Sequence, residues 1–273
     1  MSVHEPNLEL IGRLIAIDNV SAIGLGGSRA SGVCDDASDF DLYAFTSGPV
    51  NLTARQAIAD DLAEDGSEEI GNTWWGDEDG YAIDGTWYEI AYFDTNWFFG
   101  GIDAVVNQHR PSQGYSTSFV HTLAHLQPIH DPDGLIASWQ SRISTYPDEL
   151  AKAIIEANYP IVANAHASYR NQIHRAIELD DAVSVNHRVA GFLAVVFDIA
   201  FASLRIWHPG EKRQLHYLQR HEGRLPVGFT DHILEITANT VPDRAGQLMV
   251  AVDRVVADVN EITEVYRDQN ADE

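Results

Sequence analysis

The residues best suited to chemistry lie in two short stretches near the N-terminus, Gly27-Ser28-Arg29 and Asp39-Phe40-Asp41. The first follows an apolar run, which predicts a buried strand ending in a turn where the backbone comes close to a ligand. Successive N–H groups and the Ser28 hydroxyl suit an anion such as phosphate. The two aspartates are two residues apart on a predicted strand, so their carboxylates share one face. Such a pair suits Mg²⁺ carrying a nucleoside triphosphate.

In order and spacing, these stretches resemble the nucleotidyltransferases of the DNA polymerase beta type, and among them the small-molecule branch that includes the aminoglycoside nucleotidyltransferases. The shared pattern is Gly27-Ser28 after an apolar strand, then Asp39 and Asp41 on the next strand. The resemblance implies transfer of a nucleoside monophosphate, AMP from ATP in the simplest case, to an acceptor hydroxyl with release of pyrophosphate. It also implies that Asp39 and Asp41 hold Mg²⁺ and that Gly27 and Ser28 hold the β and γ phosphates.

The same resemblance extends to residues outside the two stretches. Glu89 stands among apolar neighbours on a later predicted strand and would be the third carboxylate, either a metal ligand or the general base, with Asp94 as the alternative. Arg29 would contact phosphate or lie exposed beside an acidic loop. Lys212, one of only two lysines, follows the helix break His208-Pro209-Gly210 and stands at the start of the next predicted helix. The resemblance implies that Lys212 contacts the nucleotide phosphates, and a solvated lysine is the alternative.

Competing nucleotide motifs fit less well. Arg29 stands where the dinucleotide-binding fingerprint needs its last glycine, and the Gly-Lys of a Walker A loop does not occur in the chain. A metal-dependent glycosyltransferase that uses a nucleotide sugar would explain the two aspartates but not Gly27-Ser28. A nucleotide-binding regulator, or a toxin–antitoxin nucleotidyltransferase that modifies a protein or RNA, remains open as a function.

Two further clusters are better explained as ordinary structure. His121 and His125 are four residues apart on a predicted helix, but the sequence offers no third ligand, so zinc is disfavoured. Asp131-Pro132-Asp133-Gly134 superficially resembles the motif of aspartate-nucleophile phosphatases. Its proline and glycine are typical of a turn that caps the next helix, and we favour the turn.

The charge balance limits the partners. The formal net charge is −24, with 41 acidic and 17 basic residues. Such a surface repels long nucleic acid and anionic membranes, so we expect neither as a partner and favour a small acceptor, cationic and aminoglycoside-like in the simplest case. Adaptation to high salt explains the same composition and is compatible with this view.

The cysteine count, the N-terminus and the length of the apolar runs indicate the cellular compartment. Cys34 is the only cysteine, so no intrachain disulfide can form, and we expect it to be inert in a reducing interior. The N-terminus shows no signal pattern and no apolar run approaches a membrane span, which predicts a soluble, cytoplasmic protein. A homodimer is left open.

The pattern of elements predicts an α+β fold. A helix over residues 7–17, with Leu8, Ile11, Leu14 and Ile15 on one face, leads into the strand Val20–Leu25. Asp84-Gly85 predicts a two-residue hairpin. The next predicted helix begins at Thr95 as its cap, with Trp97, Phe98 and Ile102 facing inward. Strand signals end by about residue 148. We therefore predict a nucleotidyltransferase domain over residues 1–146, a mixed sheet with flanking helices, and a helical bundle over residues 147–273.

Overall fold

The structure, a computed structural model, describes residues 5–30, 38–74 and 76–269. It has the predicted α+β fold, with a six-stranded mixed sheet and flanking helices in the N-terminal part and a helical C-terminal region. The chain divides into a sheet unit, Met1–Asp103 with Thr122–Ser144, and a helical unit, Ala104–His121 with Thr145–Glu273. The functional domains 1–146 and 147–273 stay a prediction. Cys34 lies outside the described residues.

Six strands form the sheet: β1 (Val20–Leu25), β2 (Phe40–Thr46), β3 (Glu69–Asn72), β4 (Asp77–Ile83), β5 (Thr86–Asp94) and β6 (Gln127–His130). Their order is β3-β4-β5-β2-β1-β6. β2 and β5 run parallel, and the other neighbours are antiparallel. Asp84 and Gly85 join β4 to β5 with φ values of 50° and 76°, the left-handed values that a two-residue hairpin turn requires.

Helices cover both faces of the sheet: α1 (Leu8–Ile15), the single turn α2 (Gly27–Ala30), α3 (Leu52–Leu62), α4 (Thr95–Val106), α5 (Ser118–His125) and α6 (Leu135–Arg142). On one face, α1 and α3 pack on alternate residues of the central strands, such as Leu42 and Ile90, which are fully buried. On the other face, Phe45 packs against the rings of Phe98 and Phe99. The period-two alternation of β2 and β5 therefore sends consecutive residues to opposite faces.

Two predictions about α1 and α4 need correction at the level of single residues. The buried face of α1 includes Leu10, whereas Leu8 is 75% exposed. Trp97, predicted to face inward, is 61% exposed, and Phe99 is buried with Phe98 instead. In α1 the apolar residues form one arc that is wider than the buried face, and Leu8 lies at its edge. In α4 apolar residues occur on more than one side of the helix, so helical spacing alone does not select the buried face.

The cap of α4 is Asp94, and Thr95 is the first helical residue. Oδ1 of Asp94 accepts a hydrogen bond from the Trp97 backbone N–H at 2.9 Å, which satisfies a donor of the first turn. The Thr95 hydroxyl donates to the Thr46 carbonyl at 2.8 Å and ties the helix start to β2. The alternative third carboxylate, Asp94, thus has a structural role at the end of β5.

A buried ion pair fastens α3 to β4. Arg55 is 3% exposed, and its guanidinium donates to both oxygens of Asp79 at 2.6 and 2.9 Å. Asp79 is 1% exposed and also accepts from the Tyr92 hydroxyl at 3.0 Å. Arg55 also donates to the half-exposed Asp77 at 2.6 Å. Because Arg55 and Asp79 are both buried, removing Arg55 would leave an uncompensated carboxylate in the core.

The helical unit consists of α7 (Asp148–Tyr159), a π-helical turn (Pro160–Asn164), α8 (Tyr169–Glu178), α9 (Ala182–Leu204), α10 (Gln214–Gln219), α11 (Phe229–Asn239) and α12 (Ala245–Gln269). The expectation that no apolar run approaches a membrane span is wrong for α9, whose 23 residues are long and apolar enough. Of its most apolar window, 67% is buried in the fold, and α9 contributes Phe192 and Phe201 to the core of this unit. This is the pattern of a core helix.

The predicted helix break at His208-Pro209-Gly210 separates α9 from α10, and His208 is fully buried there. Its backbone N–H donates to the Thr117 hydroxyl oxygen at 2.7 Å, and its Nδ1 accepts from the Gly210 N–H at 3.1 Å. Burial lowers the pKa of His208 to about 3, with a further contribution from His121. The imidazole is therefore neutral in the folded protein at neutral pH.

Candidate functional site

The register between β2 and β5 places Asp41 directly beside Glu89. The strands are parallel neighbours, so the two backbones lie about 4.8 Å apart and both side chains leave the same face. Each side chain is half-buried. Two residues that are distant in the sequence thus form an adjacent pair of carboxylates, which brings Glu89 together with one of the two predicted aspartates.

The glycine turn lies against this pair. The Gly26 N–H donates to the Asp41 carbonyl at 2.8 Å, which fixes the turn to β2. A Cβ on Gly27 would lie 1.7 Å from Oδ2 of Asp41, so any larger residue at this position would require the carboxylate or the turn to shift. Gly27 also has a φ of +62° and begins the single helical turn α2, on which the half-buried Ser28 follows. The predicted phosphate turn and the predicted metal ligand are therefore neighbours.

Two residues of this face were missed by the sequence reasoning, Tyr43 and Glu78. Burial raises the pKa of Tyr43 to about 12, and the charges of Asp41, Glu89 and Glu78 add to the effect. The three carboxylates therefore lie within electrostatic reach of one phenol. Burial also raises the pKa of Glu78, with Glu89 as the next cause. Alternation from Asp41 could have identified Tyr43, whereas Glu78 depends on the pairing of β4 with β5.

The position of Asp39 and the burial of Arg29 differ from the prediction. Asp39 is exposed and precedes the first residue of β2, so only Asp41 lies on the strand. The idea of an exposed Arg29 is wrong, because Arg29 is 4% exposed. Its Nε donates to the carbonyls of Ser38 and Asp39 at 3.0 Å each, and its guanidinium stacks 4.1 Å from the ring centroid of Phe40. A cation held in this way fixes the chain that enters β2.

Lys212 belongs to the helical unit and is exposed. It lies in the bend before α10, and Arg213 occupies the N-cap position, so Lys212 precedes the helix that it was expected to begin. Its contact with nucleotide phosphates stays a prediction.

His121 and the Asp131–Gly134 turn each take part in hydrogen bonds within the fold. His121 Nδ1 lies 3.1 Å from the Trp207 carbonyl, and the residues described contain no group of three or more acidic, histidine or cysteine side chains spaced for a metal. Asp131 Oδ2 accepts from the Ala137 N–H at 3.1 Å, and Gly134 caps α6, which confirms the turn.

The carboxylates of Asp41 and Glu89 fit a Mg²⁺ ion that is shared with substrate phosphates. Mg²⁺ is usually held by one or two carboxylates together with substrate phosphates and water. Glu89 and Glu78 form no ion pair in the described part of the chain, so their charge is available to a cation. Because these residues do not form a complete metal cage by themselves, a bound ligand would have to supply the remaining oxygen atoms.

Comparisons with known proteins assign no activity to the chain. Residues 117–213 match a family described as a domain of unknown function, DUF4037. The match spans roughly a third of the chain and contains Lys212 but not Gly27, Asp41 or Glu89. The chain is similar to a nucleotidyltransferase-like protein from Exiguobacterium sibiricum 255-15, with 8% identity and a TM-score of 0.45, over 91% of this chain and 72% of that one. No curated protein matches the chain.

Proposed function

We propose that this protein is a Mg²⁺-dependent nucleotidyltransferase that moves a nucleoside monophosphate, AMP from ATP in the simplest case, to a hydroxyl of a small-molecule acceptor. The observation that carries the proposal is the placement of Asp41 and Glu89 side by side, with Gly27 in contact with Asp41. Adjacent carboxylates beside a glycine-serine turn supply what phosphoryl transfer needs, which is positioning and charge neutralisation.

In this proposal, Gly27 and Ser28 hold the β and γ phosphates, and Asp39 and Asp41 hold Mg²⁺. The metal, when bound, neutralises charge on the phosphates. Glu89 either ligates the metal or accepts the proton of the acceptor hydroxyl. The acceptor oxygen then forms a bond to the α-phosphorus, and the bond from that phosphorus to the bridging oxygen breaks, which releases pyrophosphate.

Arg29 acts as a positioning residue in this scheme. Its contacts with the carbonyls of Ser38 and Asp39 hold the entry to β2, and thereby the carboxylates of Asp39 and Asp41. That Arg29 contacts phosphate stays a prediction. Lys212 stays a predicted phosphate contact, and Lys212→Gln tests it through kcat/KM for ATP.

The test measures which product receives a labelled phosphate of ATP. With ATP labelled at the α-phosphate, the proposed reaction puts label on the acceptor in a Mg²⁺-dependent manner, whereas label at the γ-phosphate appears in pyrophosphate. Aminoglycosides, cell metabolites and total protein are the acceptor panels. Transfer of the γ-label to an acceptor would identify a kinase and refute the proposal.

Variants separate the proposed site from the rest of the sheet. Asp41→Asn and Glu89→Gln should each remove nearly all transfer, because loss of a metal ligand costs several kcal/mol in the transition state. Asp94→Asn is the matched control, since Asp94 is an acid on the same strand as Glu89 and asparagine caps a helix as well as aspartate. Near-normal turnover of Asp41→Asn at saturating Mg²⁺ would contradict the assignment.

The described residues give no specific support to a glycosyltransferase, a nucleotide-binding regulator or a toxin–antitoxin nucleotidyltransferase. The small, cationic acceptor and the cytoplasmic location are proposals that rest on composition alone.

A further inference from the structure

Residues 26–28, called here the glycine turn, rest on two side chains of β2. A Cβ on Gly27 would meet the carboxylate of Asp41. A Cβ on Gly26 would lie 2.4 Å from Cε2 and 2.9 Å from Cδ2 of Tyr43, so the backbone of the turn approaches the edge of this ring closely. Asp41 and Tyr43 are two residues apart on β2 and leave the same face of the sheet. Each of the two consecutive glycines therefore faces one side chain of the same strand.

The Tyr43 ring is also held on its other sides. Its face stacks on Phe93, with ring centroids 5.6 Å apart and an interplanar angle of 9°. Its hydroxyl forms a hydrogen bond with the side chain of Thr122, which belongs to the same sheet unit. Because packed neighbours resist displacement, the ring does not readily give way to a turn that moves toward the sheet.

The chemistry of the Tyr43 phenol separates it from the carboxylates around it. Burial raises its pKa to about 12, so the hydroxyl keeps its proton at neutral pH. A phenol that stays neutral and is bonded to Thr122 is poorly suited to accept a proton from an acceptor hydroxyl. The contact of Tyr43 that reaches the phosphate side of the site is its ring edge beside Gly26.

From these contacts we infer that Tyr43 is a positioning residue whose ring edge sets the position of the glycine turn, and thereby of the N–H groups that receive the β and γ phosphates. The assignment rests on the proposed function, because it takes the glycine turn as the phosphate site. Hydrogen bonds to a charged group are short and directional, so a small shift of the turn is enough to weaken them. The nucleoside and the α-phosphate, which lie outside the turn in the proposed scheme, would keep their contacts.

The test measures binding of Mg·ATP, Mg·pyrophosphate and AMP to the full chain by isothermal titration calorimetry. Tyr43→Val removes the ring edge and should weaken binding of ATP and pyrophosphate by about ten-fold or more, the value of one hydrogen bond to a charged group. Binding of AMP, which has neither a β nor a γ phosphate, should change little. A general loss of order in the sheet unit would instead weaken all three ligands alike.

A double-mutant cycle tests the contact from the side of the turn. Gly26 lies outside the positive-φ region that Gly27 occupies, so alanine is compatible with its backbone and adds only a methyl group against the ring. Gly26→Ala should weaken binding of ATP because the turn has to move away from Tyr43. In the double variant with Tyr43→Val, the methyl group occupies part of the space of the ring. The double variant should therefore bind ATP more tightly than Gly26→Ala alone.

Two further variants separate the ring edge from the hydroxyl and from general stability. Tyr43→Phe keeps the ring edge and should bind ATP more tightly than Tyr43→Val. Tyr81→Val is the matched control, because Tyr81 is a tyrosine of the same sheet that is 1% exposed in the core of the opposite face. It should lose stability in urea unfolding but keep the wild-type affinity for ATP.

Three results would overturn the inference while leaving the proposed function in place. These are unchanged binding of ATP by Tyr43→Val, an equal loss for AMP and ATP in that variant, and a double variant no better than Gly26→Ala. A wild-type protein that binds neither Mg·ATP nor Mg·pyrophosphate would refute the phosphate site, and with it both the proposed function and the role of Tyr43.

Discussion

Replacing Gly27 by alanine adds one methyl group beside Asp41 and directly tests the position of its carboxylate. A Cβ there would lie 1.7 Å from Oδ2 and 2.5 Å from Cγ of Asp41, whereas ordinary contact begins at 3.4 Å. In Gly27→Ala, the distance from the new Cβ to Oδ2 of Asp41 must therefore be about twice 1.7 Å, so either the carboxylate or the turn has to move. A misplacement of about 1 Å can cost about a hundred-fold in rate. We expect turnover of the proposed transfer to fall by at least that factor.

Backbone strain has to be separated from displacement of the carboxylate. Gly27 has a φ of +62°, and alanine in this left-handed region costs about 1–2 kcal/mol of stability. Gly66→Ala is the matched control, because Gly66 has a φ of +75° and its Cβ would meet nothing within 4 Å. Both variants should lose similar stability in urea unfolding, but only Gly27→Ala should lose turnover.

The assay measures label transfer from α-labelled ATP at saturating Mg²⁺ for both variants and the wild type. Wild-type turnover in Gly27→Ala would refute the view that the Asp41 carboxylate beside this turn takes part in the reaction. An equal loss in Gly66→Ala would show that strain in the sheet unit, and not the carboxylate, controls turnover.

Three further predictions concern stability. Arg55→Met should lower the free energy of unfolding by about 3–5 kcal/mol in urea titrations, because it leaves Asp79 charged and unpaired in the core; a loss below about 1 kcal/mol would contradict the buried pair. The pKa of His208 is lowered to about 3 from its usual 6.5, so its contribution to stability is complete above pH 6.5 and is lost as the pH falls. Between pH 6.5 and 5, the wild type should lose about 2 kcal/mol more than His208→Asn, and parallel losses would be inconsistent with the shift. The charge of −24 predicts a Tm that rises between about 0.1 and 1 M KCl, where the screening length shrinks from about 10 to 3 Å, and a flat Tm would exclude strong repulsion.

The sequence predicted those elements whose signals are local. Asp84-Gly85 requires a turn with two positive φ values, and the structure has the hairpin. The short edge strand β3, Glu69–Asn72, was missed because its four residues carry neither alternation nor β-branched enrichment beyond Ile70. The single turn α2 was likewise too short to give a helical period.

The setting of Arg29 could not be predicted from local patterns. An arginine beside aspartates is usually exposed, but here the carbonyls of Ser38 and Asp39 and the ring of Phe40 compensate for its burial. These partners follow Arg29 in the sequence by nine to eleven residues. Whether the chain returns to that position depends on the packing of β2, which the residues around Arg29 do not reveal.

The pairing of Asp41 with Glu89 depends on the opposite face of the sheet. Phe40 and Tyr88 stack with ring centroids 4.9 Å apart, and Leu42 pairs with Ile90, both fully buried. A slip of one residue in either strand would turn one carboxylate into this core and an apolar side chain to the site, and burying an unpaired carboxylate is costly. The apolar residues between the acids therefore select the register that makes the acids neighbours. Hydrophobic packing on one face thus determines the geometry of the candidate site on the other.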